Sequence, residues 1–260
     1  MVTIETAVAL VISGMLVGFV NTMAAGGTII SMTLFMALGL PIVEASGTNR
    51  IAVVLQNLVS SFTFRRQNLL NMKTAMCLAV PVVIGVIIGA QFSMVVSERV
   101  FSIFFATGLV LMALMMLLKP DLWLKGREGG IRRMNPLSFF LLVLTGFYGG
   151  SVYVGLGYFL IAIFVMGLGY DLLKANALKS FMAFATTPFS LVIYMMHGQV
   201  NYTYGLIHAV GNIIGAYLAA HYASALGNNF IRWLLIAIIV ISLLDTLNIV
   251  DLNALVRGLL

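Results

Sequence analysis

Residues 44–57 read EASGTNRIAVVLQN, and residues 174–180 read KANALKS. Each stretch sets a basic side chain, Arg50 in the first and Lys179 in the second, among small and amide residues in a segment otherwise apolar enough to enter lipid. A cation at the centre of a membrane helix costs about 2.5–3.5 kcal/mol on insertion scales, so each needs compensation. The two cations lie 129 positions apart, and the sequence around them matches as well.

Gly18, Phe19, Gly27, Gly39 and Leu40 correspond to Gly146, Phe147, Gly155, Gly167 and Leu168 at an offset of 128. Ser61 corresponds to Ser190, and Asn71, Val80, Ile84, Gly85 and Ala90 correspond to Asn201, Val210, Ile214, Gly215 and Ala220. The chain thus reads as one transmembrane domain, 1–260, made of repeat one (1–118), a charged linker (119–136) and repeat two (137–250).

Composition sets the solvent. Of 260 residues, 62% are hydrophobic and 8% charged, where soluble domains carry about a quarter charged, and the mean hydropathy is +1.10. Uncharged runs from Thr6 to Val43, Thr74 to Ser97, Val100 to Leu118, Leu137 to Tyr170 and Ser180 to Ile231 each have room for at least one crossing of about 20 residues. The N-terminal MVTIETAVAL has no basic residue ahead of its apolar run, so it reads as the first membrane element and not as a removed signal peptide. The single Cys77 excludes an internal disulfide and reads as a small packing residue.

The excess positive charge gathers in short loops: Arg65, Arg66 and Lys73 in one, and Lys119, Lys125, Arg127, Arg132 and Arg133 in the linker. Such clustering sets topology and gives no reason to invoke nucleic acid. These loops are expected on the cytoplasmic side of the inner membrane. Glu98 with Arg99, the HGQVNY turn, Asp245, Asp251 and both termini are then expected on the other side.

Repeat one divides into an apolar segment to about Ala24, a small-residue break AAGG, a short segment from Thr28 to Leu40, and helices near 46–65, 73–96 and 99–118. Thirteen residues rise only about 20 Å as a helix, too little for about 30 Å of hydrocarbon, so the second segment is half of a hairpin or a discontinuous helix. Five segments per half, an odd number, would make the repeats inverted. The expected fold class is an all-α integral membrane protein of two inverted repeats, about five helical segments each, with broken or half helices near the midplane.

Irregular backbone at membrane depth survives only where it is buried in protein or lines a wet cavity. The matching breaks, Ala24–Thr28 with PIVEASG and Gly149–Gly157 with GYDLLKAN, therefore point to a site. Gly26, Gly27, Gly149 and Gly150 would offer backbone amides to an anion, although small residues also serve close helix packing. Pro41 and Gly47 would bracket a turn, with Ser46, Thr48 and Asn49 as hydrogen-bonding groups and Arg50 in the first turns of the helix after it.

A cation about 4 Å from an anion gains about 4 kcal/mol at an effective dielectric near 20, enough to offset much of its insertion cost. The other resolution is snorkelling to the interface. Gln56, Asn57, Asn21, Thr22, Asn176 and Ser180 supply neutral groups that could serve the anion or bridge helices. His208, Glu44 and Asp171 are candidates for proton coupling. Set against this, His208 could be structural, and the two carboxylates could cap helices.

With these motifs in hand, the chain resembles the sulfite exporter family often called TauE/SafE. The resemblance rests on GFVNTMAAGGTI, on LGLPIVEASGTNR with IAVVLQN, on the RRQ loop, and on GFYGG with LGYDLLKANALK. It implies transport of sulfite, organosulfonates or related sulfur-containing anions, with no cofactor. AAGG where a third glycine is common, and GLG at 155–157, depart from the family pattern at the site itself.

The leading expectation is therefore a secondary transporter for a small oxyanion, its partners that anion and the lipid bilayer, with a homodimer left open. A passive anion channel is the alternative. An intramembrane enzyme is less supported, since neither a GxSG element nor an HExxH helix is present, and no Walker sequence supports ATP-driven pumping.

Overall fold

A computed structural model describes residues 2–118 and 134–246, and every regular element among them is helical. The linker cations Lys119, Lys125, Arg127, Arg132 and Arg133, and Asp251, lie outside the described residues.

The first half runs α1 (Ile4–Met23), α2 (Thr28–Ala37), α3 (Ile42–Arg66), α4 (Met72–Val95) and α5 (Glu98–Leu118). The second runs α6 (Pro136–Ser151), α7 (Leu156–Ala162), which widens into a π turn over Ile163–Gly167, then α8 (Leu172–Met196) and α9 (Tyr202–Thr246). Gly227, with φ +70° and ψ 178°, interrupts α9 and divides it into 202–226 and 228–246. The described residues thus carry five helical segments in each half.

Local chemistry explains where the helices start. Asn71, Asn135, Asp171 and Asn201 each accept a hydrogen bond from the backbone N–H three residues on, at 3.2, 2.7, 2.9 and 3.1 Å. A side-chain acceptor there satisfies one of the orphan donors of a first turn. The repeated Asn71 and Asn201 are thus helix caps, which accounts for their correspondence.

Two expectations require correction. PIVEASG is not a turn: α3 begins at Ile42, immediately after Pro41, and Gly47 lies inside it. The fixed φ of proline suits a helix start, and the missing β-carbon at Gly47 lets α3 press against the Gln199 carbonyl and the Tyr194 ring, so that glycine serves packing. Arg50 is in consequence the ninth residue of α3, two turns from its start. In GYDLLKAN, likewise, the helix resumes at Leu172. Cys77 is also not a packing residue, for it is exposed on the outer face of α4.

α3 and α8 form the middle of the bundle, while α1 lies along α9 and α4 lies along α6. The second pair is the first with the halves exchanged. Both contacts are glycine-lined. Added β-carbons on Gly14 and Gly18 of α1 would strike the backbone of His208 and Asn212, and on Gly211 and Gly215 of α9 the carbonyls of Val11 and Met15. On the other side Gly85 and Gly89 of α4 meet the carbonyls of Val143 and Phe147, and Gly146 and Gly150 of α6 meet those of Val82 and Val86. Where lipid tails are as apolar as leucine, such close backbone approach is the main source of helix association.

The outward faces carry a belt of exposed apolar side chains, including Ile12 and Leu16 on α1, Val80, Ile84 and Ile88 on α4, Phe140 and Leu144 on α6, and Leu206, Val210 and Ile214 on α9. A soluble monomer rarely exposes so contiguous an apolar surface, whereas a bilayer requires it. α1, α4 and α8 are each long and apolar enough to cross. α3 is long but polar, with Ser46, Thr48, Asn49, Arg50, Gln56, Asn57, Ser60 and Thr63 all buried, so its polar groups are turned into the protein. The molecule is an all-α membrane protein.

Candidate functional site

Arg50 is completely enclosed, and Lys179 is 4% exposed. Neither snorkels. Arg50 Nη1 donates to the carbonyl of Gly149 at 3.2 Å and to Ser190 Oγ at 2.9 Å, and Nη2 donates to the carbonyls of Gly150 and Ser151 at 2.7 and 3.1 Å. The Tyr194 ring stacks on the guanidinium, centroid 4.3 Å away, and the Tyr194 phenol donates to the same Ser151 carbonyl at 2.6 Å. Lys179 Nζ donates to the carbonyls of Asn21, Thr22 and Ala24 at 2.5, 3.4 and 2.7 Å. Asn176 supports it from one turn before, donating to the Thr22 carbonyl at 2.7 Å.

The arrangement is reciprocal. Arg50, on α3 in the first half of the chain, caps the C-terminal end of α6 in the second half, and Lys179, on α8 in the second half, caps the end of α1 in the first. At the 128-residue offset, Gly149 and Gly150 are the counterparts of Asn21 and Thr22, so the two cations hold equivalent carbonyls. Both helices break at these points, which leaves their last carbonyls without intrahelical donors and their negative dipole ends facing the bundle interior. A cation answers both needs.

Carbonyl dipoles solvate the charges without neutralising them. Among the described residues the ion pair found is Lys174 with Asp171, at 3.1 Å near the start of α8, and it involves neither buried cation.

Beside Lys179 lies a small, partly open cavity of about 30 Å³, room for about one or two water-sized groups. Its polar lining is Asn21, Thr28, Gln56, Asn57, Tyr153 and Lys179, with Ala25, Leu156, Leu160 and Ala183 among the apolar walls. The first residues of α2 and of the 156–167 helical run border it, together with Gly26 and Gly155, whose φ values of +97° and +75° need glycine. Asn21 fixes the start of α2, accepting from Thr28 N at 3.2 Å while its amide donates to Thr28 Oγ1 at 3.3 Å. The Gln56 side chain is 1% exposed, and its amide oxygen has no partner.

Of the residues singled out in the sequence, the fold brings Asn21, Gly26, Gln56, Asn57 and Lys179 together around this cavity. Arg50, Gly149, Gly150 and Asn176 stand behind it as framework. The others lie elsewhere. Gly27 packs on Val17 and Asn21. Thr48 Oγ1 accepts from Asn201 N at 2.8 Å, at the turn before α9. Asn49 is buried on α3 with its amide oxygen unpartnered. Glu44 sits in the first turn of α3, and Asp171 caps α8.

His208 is fully buried between α1, α2 and α9, outside the cavity lining. Its Nδ1 lies 3.0 Å from the Leu10 carbonyl, which can only accept, so Nδ1 carries hydrogen, and Nε2 meets Ser31 Oγ at 2.9 Å.

Tyr153 was not legible as a site residue. It is a buried aromatic with φ +69° that lines the cavity, and the Arg50 guanidinium lies 5.8 Å from its ring. A non-glycine residue held in the left-handed region costs about 1–3 kcal/mol and tends to occur at functional sites. Its counterpart at the 128 offset is Ala25, so the cavity opens on the Lys179 side while Tyr153 and Tyr194 fill the space next to Arg50. The one sequence signal was an aromatic residue inside a glycine-rich break.

Comparison with known proteins agrees with this architecture. The family model for the sulfite exporter TauE/SafE matches residues 10–246. A probable membrane transporter protein, ORF9, from Sinorhizobium is 27% identical over 88% of this chain and 87% of its own length. A probable membrane transporter protein from Haemophilus influenzae is 28% identical over 84% and 86%, and the probable membrane transporter protein YfcA of Escherichia coli is 25% identical over 86% and 83%. No solved structure gives a significant match. Two half-helices meeting at a polar cavity inside a lipid-facing bundle, with a family match over nearly the whole length, lead to one conclusion: this chain is a membrane transporter belonging to the sulfite exporter TauE/SafE family.

Proposed function

We propose that the protein is a secondary transporter that moves a small oxyanion, sulfite, an organosulfonate or a related sulfur-containing anion, across the cytoplasmic membrane by alternating access. The observation that carries this reading is Lys179: a buried ammonium, solvated by carbonyls but paired with no carboxylate among the described residues, on the wall of a polar cavity at the start of a half-helix. An oxyanion about 4 Å from that ammonium gains about 4 kcal/mol at an effective dielectric near 20, and the start of α2 adds about 0.3–2 kcal/mol. Asn21, Asn57, Thr28, Gln56 and Tyr153 supply the neutral groups that orient it.

Arg50 acts at one remove. It holds the broken end of α6 as Lys179 holds that of α1, so each half grips the other and the two can rock about the site. Five segments per half and the exchange of α1–α9 for α4–α6 support inverted repeats spanning 1–118 and 137–250 around that site. The cluster of Arg65, Arg66 and Lys73 supports a cytoplasmic placement for that loop, with the N-terminus opposite.

The test is uptake into proteoliposomes with sulfite, sulfate, thiosulfate and simple sulfonates, with thermal stability as a second readout. At a hundredfold excess over Kd the transported anion stabilises the fold by about 2.7 kcal/mol. Lys179→Met and Gln56→Leu should each abolish or strongly weaken both signals. Normal transport by Lys179→Met would overturn the assignment, and fast flux that never accumulates anion against its gradient would favour a channel.

A further inference from the structure

A second concavity lies away from the substrate cavity, on the surface between α3, the start of α4 and the middle of α8. It has a volume of about 170 Å³, and its apolar lining is Leu58, Phe62, Leu70, Met72, Phe181 and Phe184. Ser61 and Arg65 complete it. We propose that this groove is a binding site for one acyl chain of an anionic phospholipid, its headgroup phosphate held by Arg65 and its neighbours.

Three observations carry the proposal. The first is geometry. Leu58 to Arg65 covers eight residues of α3, a rise of about 10 Å, so the groove runs from a charged helix end down into the hydrocarbon, as a lipid chain does below its headgroup. Two phenylalanines of α8, Phe181 and Phe184, with ring centroids 6.4 Å apart, make its floor, and Leu58 and Phe62 are left about half exposed at its rim.

The second is charge. Arg65, Arg66 and Lys73 gather at the joint between α3 and α4, all exposed, and no carboxylate among the described residues pairs with any of them. Arg66 lies over the Phe62 ring at 4.4 Å, which keeps its guanidinium at the mouth of the groove. A cluster of basic groups above an apolar slot between helices matches a phosphate followed by a chain, and it favours an anionic lipid over a net-neutral one. The third is Ser61, a groove residue only 6% exposed whose hydroxyl has no partner, so a donor is left for a lipid ester carbonyl about one turn below the headgroup.

The proposal is independent of the transported substrate. To test it, the full chain purified in a neutral detergent is titrated with dioleoyl phosphatidylglycerol or dioleoyl phosphatidylcholine, followed by native mass spectrometry and thermal melting. Binding of phosphatidylglycerol should be roughly tenfold or more the tighter, since each surface cation contributes about that order to anionic-lipid attraction, and the preference should shrink as salt rises. Arg65→Gln with Arg66→Gln should bring the two lipids to near-equal affinity while the melting temperature in phosphatidylcholine stays at the wild-type value. Met72→Trp, which fills the groove without changing charge, should lower retention of both lipids.

Equal binding of the two lipids by the wild-type chain, or an unchanged preference in the double arginine variant, would overturn the site. So would a dimer mass in which Met72→Trp breaks the dimer and bound lipid is unaffected, since the groove would then belong to a second copy of the chain.

Discussion

Replacing Arg50 by leucine tests whether the buried guanidinium ties the two halves together. The change removes the donors to the Gly149 and Gly150 carbonyls and to Ser190 Oγ, while the Ser151 carbonyl keeps the Tyr194 phenol. Two buried carbonyls are then left unpaired at about 1–3 kcal/mol each, a loss of about 2–6 kcal/mol. Counting only the lost bonds, at the ~0.6 kcal/mol typical of bridges between membrane helices, gives a floor of about 2 kcal/mol for three of them. The insertion cost of the charge cancels, because α3 carries Arg50 into the bilayer before the bundle closes. At about 2–4 °C per kcal/mol for a chain of this size, Arg50→Leu should melt roughly 5–20 °C below wild type in detergent. Arg50→Lys should recover only part of this, since an ammonium can hold the carbonyls as Lys179 does in the other half but has too few donors for all four bonds and loses the stacking on the Tyr194 ring. A melting temperature for Arg50→Leu within about 2 °C of wild type would refute the reasoning, whatever transport did.

Two more outcomes follow from the same geometry. Gly85→Val puts a side chain into the Val143 carbonyl on α6, and Gly215→Val does the same to Met15 on α1; each overpacks a helix contact whose backbone cannot retreat, so each should cost at least about 1–3 kcal/mol and similar drops in melting temperature. A normal melt for either would mean these contacts are looser than drawn. Tyr153→Gly relieves a left-handed strain of about 1–3 kcal/mol but loses a buried ring worth about 3–5 kcal/mol, for a small net loss of stability and a larger cavity. Thermal shifts with sulfonates of increasing size should then extend to bulkier members than wild type accepts, and an unchanged size cut-off would remove Tyr153 from the site.

The substitutions also separate what one strand of residues can announce from what only packing reveals. The membrane class and the shortness of the segment after AAGG were legible because each is a sum over many residues, apolar length against bilayer thickness. The two cations stood out for the same reason, a cost in lipid that any sequence bears on its face. Their partners did not. A backbone carbonyl has no identity in the sequence, so nothing marked the ends of α1 and α6 as what Arg50 and Lys179 hold, and anion pairing was the readier expectation for both.

Sequence alone places the start of α3 too late for a related reason. Proline and glycine are ambiguous locally, and the neighbours Tyr194 and Gln199 that settle Gly47 arrive from about 150 positions away. Sequence alone determined that this chain lives in lipid with costly charges inside. The tertiary structure decided which charge faces a cavity, because Ala25 in one break and Tyr153 in the other leave space beside Lys179 and fill it beside Arg50, a difference of volume that exists only once the two halves meet.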